Sequence, residues 1–178
     1  MEILKKMNFI KNLVKTQTIE SFNWTNRLID NIQDEKWFVT PEVIETNFAW
    51  QIGHLTLSQY YYTVVFINGP DKDFAEKINM KKYSMLFANG INKNKLFTEV
   101  TAEELKENWT LMQIKSIETL DNLYEVDLNN EIFKLPKSHP FVKTKENSFS
   151  WNIKHTMWHC GQMGTLKRII DKPLNFGM

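Results

Sequence analysis

The stretch N-F-A-W-Q-I-G-H-L-T-L-S-Q-Y-Y-Y-T-V-V-F-I, residues 47 to 67, is apolar on more than one face. A helix of this kind cannot lie on a surface. It has to be buried on two sides, and that requires other long elements packed around it. Taken from Thr46 it runs for about 22 residues, or roughly 33 Å as a helix. Thr46 or Asn47 is available as N-cap, and Asn68-Gly69-Pro70 ends it.

Three further segments carry helical periodicity and supply those partners. In the first, Phe9, Leu13, Thr16, Glu20, Trp24, Leu28 and Ile32 recur at three- and four-residue steps, and Leu13, Trp24, Leu28 and Ile32 are expected to anchor its core face. Another begins at Thr101-Ala102-Glu103-Glu104, a capping-box pattern, and continues with Leu105, Trp109, Met112, Ser116, Leu120 and Leu123 on its inner stripe. The last is expected from about Ser148 to Asp171, with Lys167 and Arg168 in its final turns and Pro173 beyond the end. Residues 71–100 read as a long connection holding a short helix over Asp73–Asn89 and a turn at Asn89-Gly90. Residues 127–147, with Pro136 and Pro140, read as a second crossover. The expected fold is all-α: one up-down four-helix bundle with long crossover connections, a single domain over residues 1–178.

Composition narrows the function classes. Lys and Arg number 22 against 21 Asp and Glu, so no basic excess calls for a nucleic acid. The opening M-E-I-L-K-K-M-N-F-I-K-N-L-V-K lacks the apolar core of a signal peptide, and no run of about 18 apolar residues suits a membrane. The one cysteine, Cys160, fits a reducing compartment, so a cytoplasmic location is expected.

The last segment also places His155 and His159 four residues apart, which puts both on one helical face. Spacing alone leaves two readings open: ligands of one metal ion, or core imidazoles bonded to protein groups. Thr156, Met157 and Trp158 lie between them, so the glutamate of H-E-x-x-H is missing, which argues against a zincin-type protease. His54, beside Gly53 in the central apolar helix, is the candidate third ligand. His139, in Ser138-His139-Pro140, is expected to be an exposed loop residue and is not counted. Gln162 lies one turn beyond His159, and Ser58 and Gln59 follow His54. These three are candidates to orient a ligand or substrate, or simply to bond across the bundle. Cys160 is expected to be a small core residue, and Gly161 and Gly164 to admit a neighbouring helix. Trp50, Trp151 and Trp158 are expected in core packing ahead of pocket lining. Lys93 and Lys95, interleaved with Asn92 and Asn94, look merely solvated.

The segment A-W-Q-I-G-H-L around His54, joined to H-x-x-x-H-x-G-Q at His155, His159, Gly161 and Gln162, resembles the DinB-like (YfiT-type) metalloenzyme superfamily, which is distinct from the DNA polymerase sharing that name. Weaker likenesses, at Y-S-M-L-F (83–87) with Asn89-Gly90 and at T-A-E-E-L (101–105), extend it over nearly the whole chain. The resemblance implies a four-helix bundle, often a homodimer, with a divalent metal on His54, His155 and His159. It further implies a small-molecule substrate and, as in characterised members, thiol-dependent S-transfer or isomerisation using bacillithiol, mycothiol or glutathione. Many other members have no assigned reaction. Zinc or nickel is expected ahead of iron or manganese, although imidazoles suit several transition metals. Three neutral imidazoles leave an ion positively charged with an open position. Such a site activates either a thiol or a water, so a metallohydrolase is the alternative, as is a non-catalytic bundle with structural histidines.

Overall fold

The structure, a computed structural model, describes residues 9–88, 96–136 and 139–175. The expected turn at Asn89-Gly90, the loop with Lys93 and Lys95, the first eight residues and Ser138 lie outside the described residues.

Helix α1 spans Phe9–Ile29, and a 3₁₀ turn at Asp34–Lys36 follows it. α2 spans Phe48–Tyr60 and continues through a π-helical turn, Tyr61–Val65, into Phe66–Asn68. Two short helices, α3 (Lys72–Lys77) and α4 (Met80–Phe87), occupy the segment where one was expected. α5 is Leu96–Glu99, α6 is Ala102–Asp121 and α7 is Lys145–Ile170. Among the described residues there is no strand, only one isolated bridge between Glu131 and Thr144.

The four long helices α1, α2, α6 and α7 form the expected all-α bundle. α1 packs on α7 and α6, and α2 packs on α6 and α7. Side-chain pairs fix the directions. Lys15 meets Asp121, so α1 and α6 run oppositely. Thr25 meets Cys160 and Lys36 meets Asp171, so α1 and α7 run together. Gln51 meets Gln162 while Ser148 meets the Tyr62 carbonyl, so α2 opposes α7. The order is therefore up, down, down, up. The α2–α6 connection must cross the whole length of the bundle, and it is the long one. The connection from α6 to α7 joins antiparallel helices and returns at one end, so the second crossover expected from sequence does not occur.

Helix α6 follows its sequence pattern. Leu105, Trp109, Met112, Ser116 and Leu120 are fully buried, and Leu123 just beyond the helix is buried too. Each large apolar side chain contributes roughly 1.5–3 kcal/mol. The Trp109 indole N–H also donates to Asn26 Oδ1 at 2.9 Å. Thr101 caps α6 by accepting from the Glu104 N–H at 3.0 Å, while the Glu104 carboxylate pairs across to Lys82.

Helix α1 departs from the expected stripe. Phe9 is 65% exposed and Leu13 is 45% exposed, while Val14, Thr18, Ser21, Phe22, Thr25, Leu28 and Ile29 face inward. The buried hydroxyls bond backbone carbonyls of the preceding turn, Thr18 to Val14 at 2.8 Å and Thr25 to Ser21 at 3.0 Å, so their burial leaves no donor unmet. Leu28 is buried as expected and Trp24 packs partly on the core, whereas Leu13 does not, and the polar members of the inner face carry no apolar signal. Ile32 is buried, but past the end of the helix.

Helix α7 begins three residues earlier than expected, capped by Thr144, whose hydroxyl accepts from the Asn147 N–H. Its end is held by a buried lysine. Lys167 Nζ meets Asp171 Oδ2 at 2.5 Å, and Lys36 reaches the other oxygen of the same carboxylate at 2.7 Å. These two cations hold the Asp171 carboxyl well below its ordinary value.

Candidate metal centre

His54 sits in the middle of α2, and His155 and His159 in the middle of α7, where the two helices pass side by side. One ring nitrogen of each lies within 4.8 Å of the others, and His155 Nε2 is 3.1 Å from His159 Nε2. Nitrogens bound to one ion at about 2.1 Å take a similar separation. His54 and His159 are buried and His155 is half-buried.

The outer nitrogens explain why the inner ones converge. His54 Nδ1 donates to the backbone carbonyl of Phe87 at 2.8 Å. His159 Nδ1 donates to Gln51 Oε1. Since a carbonyl oxygen can only accept, both imidazoles carry their proton on Nδ1 and turn an unprotonated Nε2 toward the centre. Burial chiefly, and His54 secondarily, push His155 down to about 4. Burial, then His155 and His54, push His159 down to about 3, with the Gln162 side chain working the other way. At neutral pH these rings are uncharged donors, the form that binds metal. Ring nitrogens converging this closely fit a cation between them.

Phe87 comes from the end of α4, and it reaches His54 because residue 53 is glycine. A Cβ there would fall inside the Phe87 ring. Gly53 is thus the close-approach glycine. Gly161 and Gly164, expected to have that role, have nothing within 4 Å of an added Cβ. Trp50 stacks on His54 with centroids 4.7 Å apart and planes 10° from parallel, holding the ring from its outer face.

The histidines open into a cavity of about 540 Å³, walled by Ile44, Thr46, Trp50, Trp158, Gln162 and Thr165. Trp158, expected in the core, is 66% exposed at its mouth. Trp151 does not line it and packs instead on Phe141 and His139.

Of the other sequence candidates, Ser58 Oγ lies 3.4 Å from His54 Nε2. Gln162 accepts from Gln51 Nε2 at 3.2 Å, and its side chain also acts on His159. Gln59 is not at the site. It is fully buried in the core, and neither amide atom has a hydrogen-bond partner among the described residues. His139 is not exposed as expected: Nδ1 accepts the Phe141 and Val142 N–H groups, and Nε2 meets Tyr62 Oη at 3.1 Å. It joins no ligand group. Cys160 is buried against Thr25 Oγ1, and burial pushes its thiol up, as suits a core residue. Gln51 is the site residue that the sequence did not reveal. The available signal was its position one turn before His54 on the same helix.

No helix among the described residues is long and apolar enough to cross a membrane. No curated protein matches the chain. The family model of the DinB superfamily matches residues 17–163, from α1 through both histidines of α7. The chain therefore belongs to the DinB superfamily.

Proposed function

We propose that the protein is a metal-dependent enzyme that holds a divalent ion, zinc or nickel ahead of iron or manganese, on Nε2 of His54, His155 and His159. Its reaction is the transfer of a low-molecular-weight thiol to an electrophilic small molecule. The observation that carries the first half is the convergence of three imidazole nitrogens, 3.1 Å apart in the closest pair, two of which, on His54 and His159, are turned inward bare by acceptors behind the rings. A divalent ion held there supplies positive charge that makes a coordinated thiol or water acidic at neutral pH.

The chain's own residues do the rest. The imidazoles add no negative charge, so the centre favours an anionic partner such as a thiolate. Ser58 Oγ, 3.4 Å from His54 Nε2, is within reach of a group bound at the centre. The cavity admits a small molecule from one side, and Trp50 and Trp158 give it apolar walls. The thiol half of the reading leans on the family resemblance. The buried lone cysteine favours a cytoplasmic setting, and a homodimer belongs to the same reading.

Metal analysis of purified protein tests the proposal, with stoichiometric divalent metal expected. His155→Ala and His159→Ala should each lose it. Absence of metal even after reloading overturns the reading. A screen of electrophiles with and without added thiol then separates the transferase from a hydrolase, which would act on esters without thiol.

A further inference from the structure

We propose that Gln51 is a positioning residue that fixes the tautomer of His159, so that its Nε2 lone pair faces the centre before any ion arrives. Gln51 is 1% exposed and its amide makes three hydrogen bonds. Oε1 accepts from His159 Nδ1, while Nε2 donates to Thr46 Oγ1 at 3.0 Å and to Gln162 Oε1 at 3.2 Å. Because both amide hydrogens are taken by oxygen acceptors, the oxygen of Gln51 is the atom left for the imidazole, and the imidazole must be the donor.

The three histidines differ on this point. His54 is anchored by a backbone carbonyl rather than a side chain, and His155 Nδ1 is buried without a partner among the described residues. Among the three outer nitrogens, only that of His159 is therefore set by a side chain. The choice of an amide also matters. A carboxylate in that place would add negative charge behind the ring and make it a stronger donor, whereas Gln51 orients the ring and leaves the charge of the centre unchanged.

The tautomer half of the inference stands on the metal-free protein. The affinity half rests on the metal reading above. Gln51→Met keeps the volume and removes the acceptor, and Gln51→Glu restores an acceptor. In metal-free protein with nitrogen-15-labelled histidine, His159 of the wild type should give an Nδ1–H, bare-Nε2 signature. Gln51→Met should lose that signature and Gln51→Glu should keep it.

In cobalt(II) titrations Gln51→Met should bind about 10–100-fold more weakly, with Gln51→Glu recovering the wild-type affinity or exceeding it. Thr46→Val, which frees one hydrogen of the Gln51 amide without touching His159, should show a smaller change in the same direction, and it serves if Gln51→Met does not fold. An unchanged tautomer in Gln51→Met overturns the proposal. So does a Gln51→Glu that weakens as much as Gln51→Met, which would make the residue a matter of packing. If wild-type protein takes up no cobalt, the metal reading fails while the nitrogen spectra still decide the role of Gln51.

Discussion

The ring of Phe87 occupies the space where a Cβ on Gly53 would stand, and the carbonyl of the same phenylalanine meets Nδ1 of His54 at 2.8 Å. Packing and ligand orientation are thus coupled through one contact. Gly53→Ala should force Phe87 away and take its carbonyl with it. The expected cost is about 1–3 kcal/mol of stability from overpacking, together with metal binding weakened by about tenfold or more. Urea unfolding and a competitive metal titration read the two effects separately. An alanine variant as stable and as tight as wild type would show that α4 yields freely.

Trp50 lies stacked on His54 at 4.7 Å, which makes its fluorescence a reporter of that ring. Loading with cobalt or nickel should quench emission and a chelator should restore it. Trp50→Phe should remove most of the metal-dependent change. A full response in that variant would place the quenching ion elsewhere.

His139 offers a contrast with the ligand histidines. Its ring accepts two backbone N–H groups and lies among Tyr62, Phe66 and Trp151. His139→Ala should lower stability by roughly 1–3 kcal/mol, because two donors lose their acceptor, and leave metal stoichiometry intact. His155→Ala should do the reverse, losing the metal with little change in the melting temperature of metal-free protein. Elemental analysis beside thermal melts separates the two.

Glycines in α7 give the opposite sign from Gly53. An added Cβ at Gly161 or Gly164 meets nothing within 4 Å, so alanine at either should raise stability by about 0.4–1 kcal/mol. A lower melting temperature would reveal a neighbour that packs on this face in solution.

The Lys167–Asp171–Lys36 cluster gives a pH dependence. The folded-state value of Asp171 lies below its unfolded value of 3.8. Its stabilising contribution is therefore fully present above about pH 4 and is lost as the pH falls through the lower, folded value. Asp171→Asn should melt below wild type at pH 7 by a margin that stays constant down to about pH 4 and narrows in more acid solution. A margin independent of pH throughout would assign the effect to hydrogen bonding alone.

How much of this was legible in the sequence depended on the kind of residue. Helix α6 reads directly, since its apolar positions from Leu105 to Leu123 repeat at helical spacing and all are buried. The three histidines could be paired because two share a helix face and the third sits in an apolar segment. Helix α1 was harder, because Thr18, Ser21 and Thr25 face inward as hydroxyls bonded to their own backbone while Phe9 and Leu13 face out. Gln51 and Gly53 could not be singled out for a related reason. An amide has no periodicity of its own, and the importance of a missing side chain lies in the partner that takes its place. Here that partner is Phe87, 34 residues away in the chain.

The π-helical turn at Tyr61–Val65 divides α2 into two segments with separate phases. A backbone oxygen in that widened turn, that of Tyr62, is taken by the Ser148 hydroxyl at 2.6 Å. Such a turn holds one residue more than a regular helix allows, so deleting one residue there would close it to a regular helix, with the segments on either side keeping their facing. Phe66 and Ile67 would stay in the interior, and the segment bearing Gln51, Gly53 and His54 would keep its orientation. The widened turn can therefore absorb a single-residue length change while the imidazole cluster and the far half of the helix both stay in register with their neighbours.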